Sequence, residues 1–129
     1  HQQHKEQILI EQQQQKQEAI NDSLQVKANE LYNQANEQYL IGEKHDEGYE
    51  TALIYAYSRF SEAIKTASKV KGRKIQTKDF NNGREKAKSA LLSAKKEFEA
   101  KAKSFEEEGM SDIAIEFHQR ANKINKLFK

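Results

Sequence analysis

The central part of the chain carries a regular stripe of apolar residues between positions 49 and 70. Successive apolar positions are separated alternately by four and three residues, which places all of them on one face of an α-helix. The stripe comprises Tyr49, Leu53, Ala56, Phe60, Ala63, Ala67 and Val70. Its alanines let a partner helix approach closely, with Phe60 as the large buried side chain. The pattern predicts the central helix of the fold.

Stripes of the same kind predict three more helices. They begin at Ile20, Ala87 and Ile113. The predicted helices cover residues 20–41, 46–70, 83–107 and 111–128. The short turns between them predict two antiparallel hairpins, the first two helices forming one and the last two the other. We therefore predict an all-α, four-helix fold whose two hairpins pack against each other.

Local signals place the predicted helix ends. Asp46 is the predicted N-cap of the central helix, and Ser111 the predicted N-cap of the fourth. The sequence Asn81-Asn82-Gly83 predicts a turn that closes a connection over residues 72–83. We expect Phe80, within this connection, to fold back under the bundle.

Residues 1–19 differ from the rest because they are rich in glutamine and have one apolar cluster, Ile8-Leu9-Ile10. We predict a polar N-terminal extension over 1–19 and a single helical domain over 20–129. The extension is interpreted as a solvated helix or as a tether that is disordered by itself. The alternative is a contact arm that docks on a partner or on a second copy of the chain.

Composition supports helices and excludes several function classes. The chain has no proline and only five glycines, which favours long helices. Lysine plus arginine number 22 and aspartate plus glutamate 20, and this near balance argues against a dedicated nucleic-acid binder. There is no cysteine, so disulfides and Cys-ligated zinc are excluded. The chain begins at His1 without an initiator Met, so we expect any signal or lipid-anchor segment to have been lost; we expect a cell-envelope location, with the cytoplasm as the alternative.

The candidate chemistry is sparse. The four histidines show no Glu-x-x-His motif of the kind that di-iron bundles use. His1 and His4 are interpreted as a solvated pair at the terminus, His45 as a turn residue and His118 as a structural histidine beside Phe117. No serine lies beside a suitable base, and no glycine-rich phosphate loop is present. We predict a non-enzymatic protein with no catalytic residue, cofactor or metal.

Two surface features are candidates for contacts. Basic residues cluster around the second connection, at Lys69, Lys71, Arg73, Lys74 and Lys78. They are interpreted as a solvated loop, with contact to an acidic protein surface or anionic lipid as the alternative. The five tyrosines all lie in the first hairpin. Tyr32, Tyr55 and Tyr57 fall off the main stripes, so they either pack on neighbouring helices or form a protein-binding face.

Small and large residues recur along both hairpins at the spacings of a known repeat. In the second hairpin these residues are Phe98, Ala102, Phe105, Gly109, Ala114 and Ala121, and in the first they are Leu31, Ala35, Gly42, Ala56, Phe60 and Ala63. The hairpins resemble tetratricopeptide repeats, helix–turn–helix units that stack into peptide-binding solenoids. His118, Lys126 and Gln38 depart from the pattern, and the first turn is several residues too long. The microtubule-interacting and trafficking domain is a less similar candidate.

The resemblance implies a peptide groove lined by the first helix of each hairpin. It carries over to Tyr32, Asn36 and Tyr39, and less directly to Lys103. With Tyr55 and Tyr57, these residues form the predicted partner-binding set. We predict a protein–protein interaction module that holds or stabilises another protein or a peptide segment, with no nucleic acid as partner and with self-association left open. The alternative is a structural spacer or lipoprotein body, tethered to a membrane through a missing N-terminal segment.

Overall fold

A computed structural model describes residues 2–129, and within this range the chain forms four α-helices and no strands. The helices are α1 (Gln2–Glu43), α2 (Tyr49–Ala67), α3 (Lys78–Glu107) and α4 (Ser111–Leu127). The prediction of an all-α, four-helix fold with a helical N-terminal extension is confirmed. The first residue of that extension, His1, lies outside the described residues.

Each helix packs mainly on the next helix along the chain. Asn21 of α1 bonds to the backbone of Lys71, which follows α2, whereas Gly42 near the end of α1 lies against Leu53 near the start of α2. Residues farther along α1 therefore contact residues closer to the start of α2, so the two helices are antiparallel.

The next two pairs follow the same rule. Phe60 of α2 lies against Gly83 near the start of α3, and Tyr49 at the start of α2 contacts α3 fifteen residues later, at Phe98. Phe105 near the end of α3 stacks on Phe117 in the first half of α4, whereas Lys88 in the first half of α3 lies over the ring of Phe128, which directly follows α4. Successive helices are antiparallel, and α1 and α3 consequently run in the same direction with α2 between them.

The interior is built from alanine contacts between helices and from larger side chains, among which the rings of Phe60 and Phe98 are the largest fully buried ones. Phe60 and Phe98 are each only 1% exposed. Phe60 packs with Ala35 of α1 and Ala87 of α3, while Phe98 belongs to a neighbouring cluster that reaches α4. Tyr39 and other half-buried residues bridge the two clusters. Burying each ring contributes about 2–3 kcal/mol, and alanine neighbours let the backbones come close enough to exclude water.

The start of α2 differs from the prediction. The helix begins at Tyr49, and Gly48 before it has a φ of 73°, a left-handed conformation that cannot be part of an α-helix. No side chain caps this end. The predicted N-cap at Asp46 is therefore wrong, because the turn through Gly48 moves the N-cap position two residues later. At the other end α2 stops at Ala67, so Val70 lies outside it.

The start of α3 also differs. The helix begins at Lys78, so the sequence Asn81-Asn82-Gly83 is helical and the predicted turn is wrong. Gly83 serves a different purpose there. A Cβ atom on this residue would lie 2.3 Å from Cε1 of Phe60, so glycine is required by close packing and not by a turn. Phe80 is buried at 5% exposure, as expected from its predicted position under the bundle.

The α3–α4 connection is tight and glycine-dependent. Gly109 has a φ of 77°, and the backbone N–H of Met110 donates to the carbonyl of Phe105 at 2.8 Å. A second bond, from the N–H of Gly109 to the carbonyl of Glu106, completes a Schellman motif. Ser111 is the first residue of α4, and the N-cap position is occupied by Met110. The predicted Ser111 cap is thus displaced by one residue.

The extension and the first helix of the bundle are one continuous helix. All side chains from residue 2 to residue 16 are exposed, and Ile20 is 53% exposed although it was predicted to begin the buried stripe. The neighbouring Asn21 already pairs with Lys71, beyond the end of α2 at Ala67, so α2 provides no helical partner for Ile20. Burial begins instead at Asn21, which is 3% exposed and joins both backbone groups of Lys71 through bonds of 2.7 and 3.1 Å.

Candidate functional site

A groove separates α1 from α3. These two helices make few direct contacts because α2 packs beneath both, and a cleft of about 440 Å³ opens between them. Its lining residues come from three helices: Tyr32, Asn36, Tyr39, Leu40 and Glu43 of α1, Phe60 of α2, and Asp79, Asn82, Gly83 and Lys86 of α3. We call this cleft the α1–α3 groove.

Aromatic rings form the floor and one wall of the groove. Phe60 lies at the floor of the groove directly beneath Gly83, where the missing side chain lets the ring pack against the α3 backbone. Tyr32 is half-buried, with its ring centroid 5.8 Å from that of Phe60 and 5.0 Å from that of Phe80. These contacts hold the Tyr32 ring in place, so a ligand would meet a wall that is already ordered.

Tyr39 lies one helical turn beyond Asn36 on the same wall and is also half-buried. Burial, together with the neighbouring carboxylate of Glu43, raises the pKa of Tyr39 above its ordinary value of 10.0. The phenol is neutral at physiological pH and keeps a proton to donate, with the Glu43 carboxylate as one acceptor within the groove.

Two side-chain amides add hydrogen-bonding groups to the groove. Asn36 is half-buried on the α1 side, and Asn82 is exposed on the α3 side. Among the side-chain hydrogen bonds formed within residues 2–129, none uses either amide. Each amide has two N–H donors and a carbonyl acceptor, which is the combination that pairs with a peptide backbone.

The groove continues along α3. A second depression of about 430 Å³ shares Tyr39 and Lys86 with the first and extends past Ser89 to Ser93. The combined surface is therefore elongated, unlike the compact pocket that encloses a small molecule.

The structure brings together three residues of the predicted partner-binding set: Tyr32, Asn36 and Tyr39. The other three lie elsewhere. Tyr55 is 39% exposed and lies beneath the guanidinium of Arg59 at 4.7 Å, while Tyr57 packs edge-on against Phe128 at 5.0 Å. Lys103 is exposed farther along α3 and does not line the groove.

Sequence reasoning missed the α3 wall. Asp79, Asn82 and Lys86 are spaced by three and four residues, which places them on one face of a helix. The sequence Asn82-Gly83 is typical of a turn, so the predicted helix begins at residue 83 and excludes Asp79 and Asn82. The structure shows that α3 begins at Lys78 and therefore includes all three residues. Glu43, at the end of α1, was likewise not recognised as a groove residue.

A buried ion pair joins α2 to α4 outside the groove. The side chain of Glu50 is 3% exposed, and Arg120 donates to both of its oxygens, with Nη2–Oε1 at 2.8 Å. Burial alone would raise the pKa of Glu50, but the hydrogen bonds from Arg120 lower it below its ordinary value. The guanidinium also covers the ring of Phe98 at 4.2 Å. Because both charges are fully paired, we interpret this pair as structural.

Other chemistry is limited in the part of the chain that the structure describes. Within residues 2–129, no group of three or more histidine, aspartate or glutamate side chains is placed to hold a metal ion. None of the four helices has the length and apolar character needed to cross a membrane. His118 contacts Glu106 at the α3–α4 turn, and both side chains are about half exposed. In the basic connection, Arg73 pairs with Asp22 at 2.7 Å.

Comparison with protein-family models, with curated proteins and with solved structures finds no match to this chain. The resemblance to tetratricopeptide repeats remains a prediction from the sequence. Function is therefore inferred from the α1–α3 groove and from the chemistry of its lining residues.

Proposed function

We propose that this protein is a non-enzymatic interaction module that holds or stabilises another protein by binding one of its extended segments in the α1–α3 groove. The observation that carries the proposal is the elongated cleft itself, with ordered aromatic walls and two amides that no side-chain partner in the described residues occupies. The placement of Tyr32, Asn36 and Tyr39 along one wall supports it, since the repeat resemblance implies the same residues.

The dimensions of the groove suit a short extended segment. From Tyr32 to Glu43 the wall spans eleven residues of helix, which is about 16 Å. An extended chain advances about 3.3 Å per residue, so about five residues fit along the wall. Tyrosine rings provide contact area with little loss of rotamer entropy, and the amides of Asn36 and Asn82 can pair with the backbone of the segment.

The test is selection of peptides on the immobilised full chain from a random display library, followed by calorimetry on the selected peptides. We expect micromolar binding that weakens at least tenfold in the double variant Asn36→Ala plus Asn82→Ala, because the backbone of the peptide loses its amide partners. The matched control is Asn33→Ala plus Asn122→Ala, which removes two exposed amides outside the groove.

Binding that survives the groove variant but disappears in the control would place the binding surface elsewhere. Failure to select any peptide would remove the proposal. Circular dichroism of both double variants establishes that each remains folded, and exposed or half-exposed asparagines on helices are safe positions for this substitution.

A second function, that of a spacer, is favoured by the exposed part of α1. Residues 2–16 extend beyond the bundle as a helix about 22 Å long with no buried side chain. Small-angle scattering of the full chain and of a form lacking these residues tests the spacer. An extended arm predicts a maximum dimension about 20 Å greater for the full chain, and equal dimensions would show that the arm folds back. Its removal is expected to leave peptide binding unchanged.

A further inference from the structure

The charge on the chain is unevenly divided. Between Gln2 and Glu43 the sequence of α1 contains seven acidic residues and three lysines, a net of −4, whereas the whole chain has a net of +2. The remaining residues therefore carry an excess of six positive charges. One wall of the α1–α3 groove thus belongs to the acidic helix of an otherwise basic protein.

Two carboxylates lie in the groove without a cationic partner in residues 2–129, although Glu43 is a hydrogen-bond neighbour of the Tyr39 hydroxyl. Glu43 is on the α1 wall and Asp79 on the α3 wall, and none of the ion pairs formed within residues 2–129 uses either one. Both side chains are exposed and accessible to a ligand. With Lys86 as the cation among the groove-lining residues, the net charge of the lining is −1.

Glu43 is unfavourably placed in the free protein. It is the last residue of α1, and the last turn of this helix contains no basic residue. The C-terminal end of a helix carries a partial negative charge, so a carboxylate there is repelled. A cation supplied by a ligand would offset this repulsion. The end of the groove at Glu43 is therefore expected to favour positively charged groups on electrostatic grounds, independently of the shape of the cleft.

The two carboxylates lie at opposite ends of the groove. Because α1 and α3 run in the same direction and Tyr32 packs on Phe80, Asp79 lies near the Tyr32 end. Glu43 lies at the other end, about 16 Å along α1. Tyrosine rings line the groove near both ends, at Tyr32 and Tyr39, and such rings attract ammonium and guanidinium groups over their faces.

We infer that the α1–α3 groove recognises an extended peptide segment with basic residues at both ends, about five positions apart and with uncharged residues between them. The spacing follows from 16 Å at about 3.3 Å per residue. Lys86 lies between Asp79 and Glu43 along the groove, and its positive charge disfavours a third basic residue in the centre of the segment. This inference rests on the proposed function, since it specifies the segment that the module holds.

Three pools of fluorescently labelled peptides test the inference on the full chain. The pools are Lys-X4-Lys, Gln-X4-Gln and Glu-X4-Glu, where each X is randomised over uncharged residues, and binding is followed by fluorescence anisotropy. We expect the Lys pool to bind at least tenfold more tightly than the Glu pool. The double variant Glu43→Gln plus Asp79→Asn is expected to abolish this preference.

The control is Glu30→Gln plus Glu37→Gln, which removes the same number of charges from exposed positions of α1 outside the groove. In this control the ratio of the affinities for the Lys and Glu pools is expected to remain at least half of the wild-type ratio. Equal loss in both double variants would mean that the peptides are attracted to the acidic helix in general, and this would overturn the inference.

The remaining outcomes separate the inference from the proposed function. Preference for the Gln or Glu pool, lost when Asn36 and Asn82 are replaced by alanine, would leave the peptide-binding function standing and overturn the basic-segment inference. Binding of no pool would overturn both. Spermine, which carries positive charge at both ends but no peptide backbone, is expected to bind at least tenfold more weakly than the Lys pool, and equal affinity would assign the groove to small polyamines instead.

Discussion

Replacement of Gly83 by alanine tests the packing that forms the floor of the groove. The added Cβ atom would lie 2.3, 2.5 and 2.8 Å from three carbon atoms of the Phe60 ring. Favourable carbon–carbon contacts are about 3.5–4.0 Å long, so the ring would have to retreat by more than about 1 Å. Phe60 is 1% exposed and packs closely with Ala35, Ala56 and Ala87, so a retreat of the ring would disturb these contacts.

Two opposing effects decide the size of the change. Alanine is favoured over glycine inside a helix by about 0.5–1 kcal/mol. Overpacking a filled core costs about 1–3 kcal/mol, and the contacts at Phe60 are short enough to place this site in the upper half of that range. We therefore expect Gly83→Ala to destabilise the protein by about 1–2 kcal/mol, which corresponds to a fall in Tm of about 3–10 °C.

Urea denaturation followed by circular dichroism measures the effect, with Ser89→Ala as the matched control on the exposed face of the same helix. The control is expected to gain a few tenths of a kcal/mol from helix propensity alone. Phe60→Leu should relieve the clash, so the double variant should lose at least about 1 kcal/mol less than the sum of the single variants. A stabilising Gly83→Ala, or strictly additive effects, would refute the close packing of Gly83 on Phe60.

Four further predictions concern named contacts. Glu50→Gln should destabilise the protein at pH 7 by about 1–3 kcal/mol, less than for a fully buried pair because the side chain of Arg120 is 30% exposed. Since pairing with Arg120 lowers the folded pKa of Glu50 below its ordinary value of 4.5, its stabilisation is present above that pH and is lost as the pH falls through the folded pKa. The difference in free energy of unfolding between the variant and wild type, measured by urea denaturation, should therefore shrink as the pH is lowered below 4.5; a constant difference would contradict this. Burial and a hydrogen bond to the Glu97 carboxylate of α3 raise the pKa of Tyr49 to about 12, so the stabilisation that this tyrosine provides is present below pH 10 and is lost as the pH rises to 12. In Tyr49→Phe, Tm should therefore fall less steeply between pH 10 and 12 than in the wild type; parallel plots of Tm against pH would refute the hydrogen bond to Glu97. Asn21→Ala should cost about 1–3 kcal/mol and speed proteolysis of residues 68–77, because two backbone groups of that connection lose their partner, whereas an unchanged cleavage rate would count against it. Glu43→Gln should raise the free energy of unfolding by about 0.3–1 kcal/mol, measured at low salt, because it removes a negative charge from the end of α1; a loss of stability would show that the carboxylate is paired.

The stripes of apolar residues predicted the helices well because burial and helical periodicity agree along them. Leu53, Ala56 and Phe60 are all buried, as expected from their spacing. The stripe failed where a partner was missing. Ile20 has the right spacing but lies beyond the end of α2, and the sequence of one helix does not reveal where its neighbour stops.

Helix ends were harder to predict because glycine has more than one structural use. Gly48 adopts a positive φ and delays α2, whereas Gly83 is helical and is needed for the approach of Phe60. Sequence alone does not distinguish the two uses, since the second depends on a residue from another helix. Because of this ambiguity, the predicted start of α3 is too late in the sequence, and the α3 wall of the groove could not be recognised.

Long-range polar contacts gave no local signal. Glu50 and Arg120 are 70 residues apart and neither lies in a motif, so their ion pair could be found only when α2 and α4 were placed together. By contrast, Tyr32, Asn36 and Tyr39 share one helix face, and their proximity could be predicted from spacing alone.

The most direct test of the α1–α3 groove is a nuclear magnetic resonance titration of the ¹⁵N-labelled full chain with a selected peptide. The groove hypothesis predicts saturable shifts of the side-chain amide signals of Asn36 and Asn82 and of backbone amides in residues 32–43 and 79–86, while the side-chain amide signals of Asn33 and Asn122 stay in place. Shifts confined to the surface around Tyr55, or to the outer face of α4, with both groove amides unmoved, would contradict it.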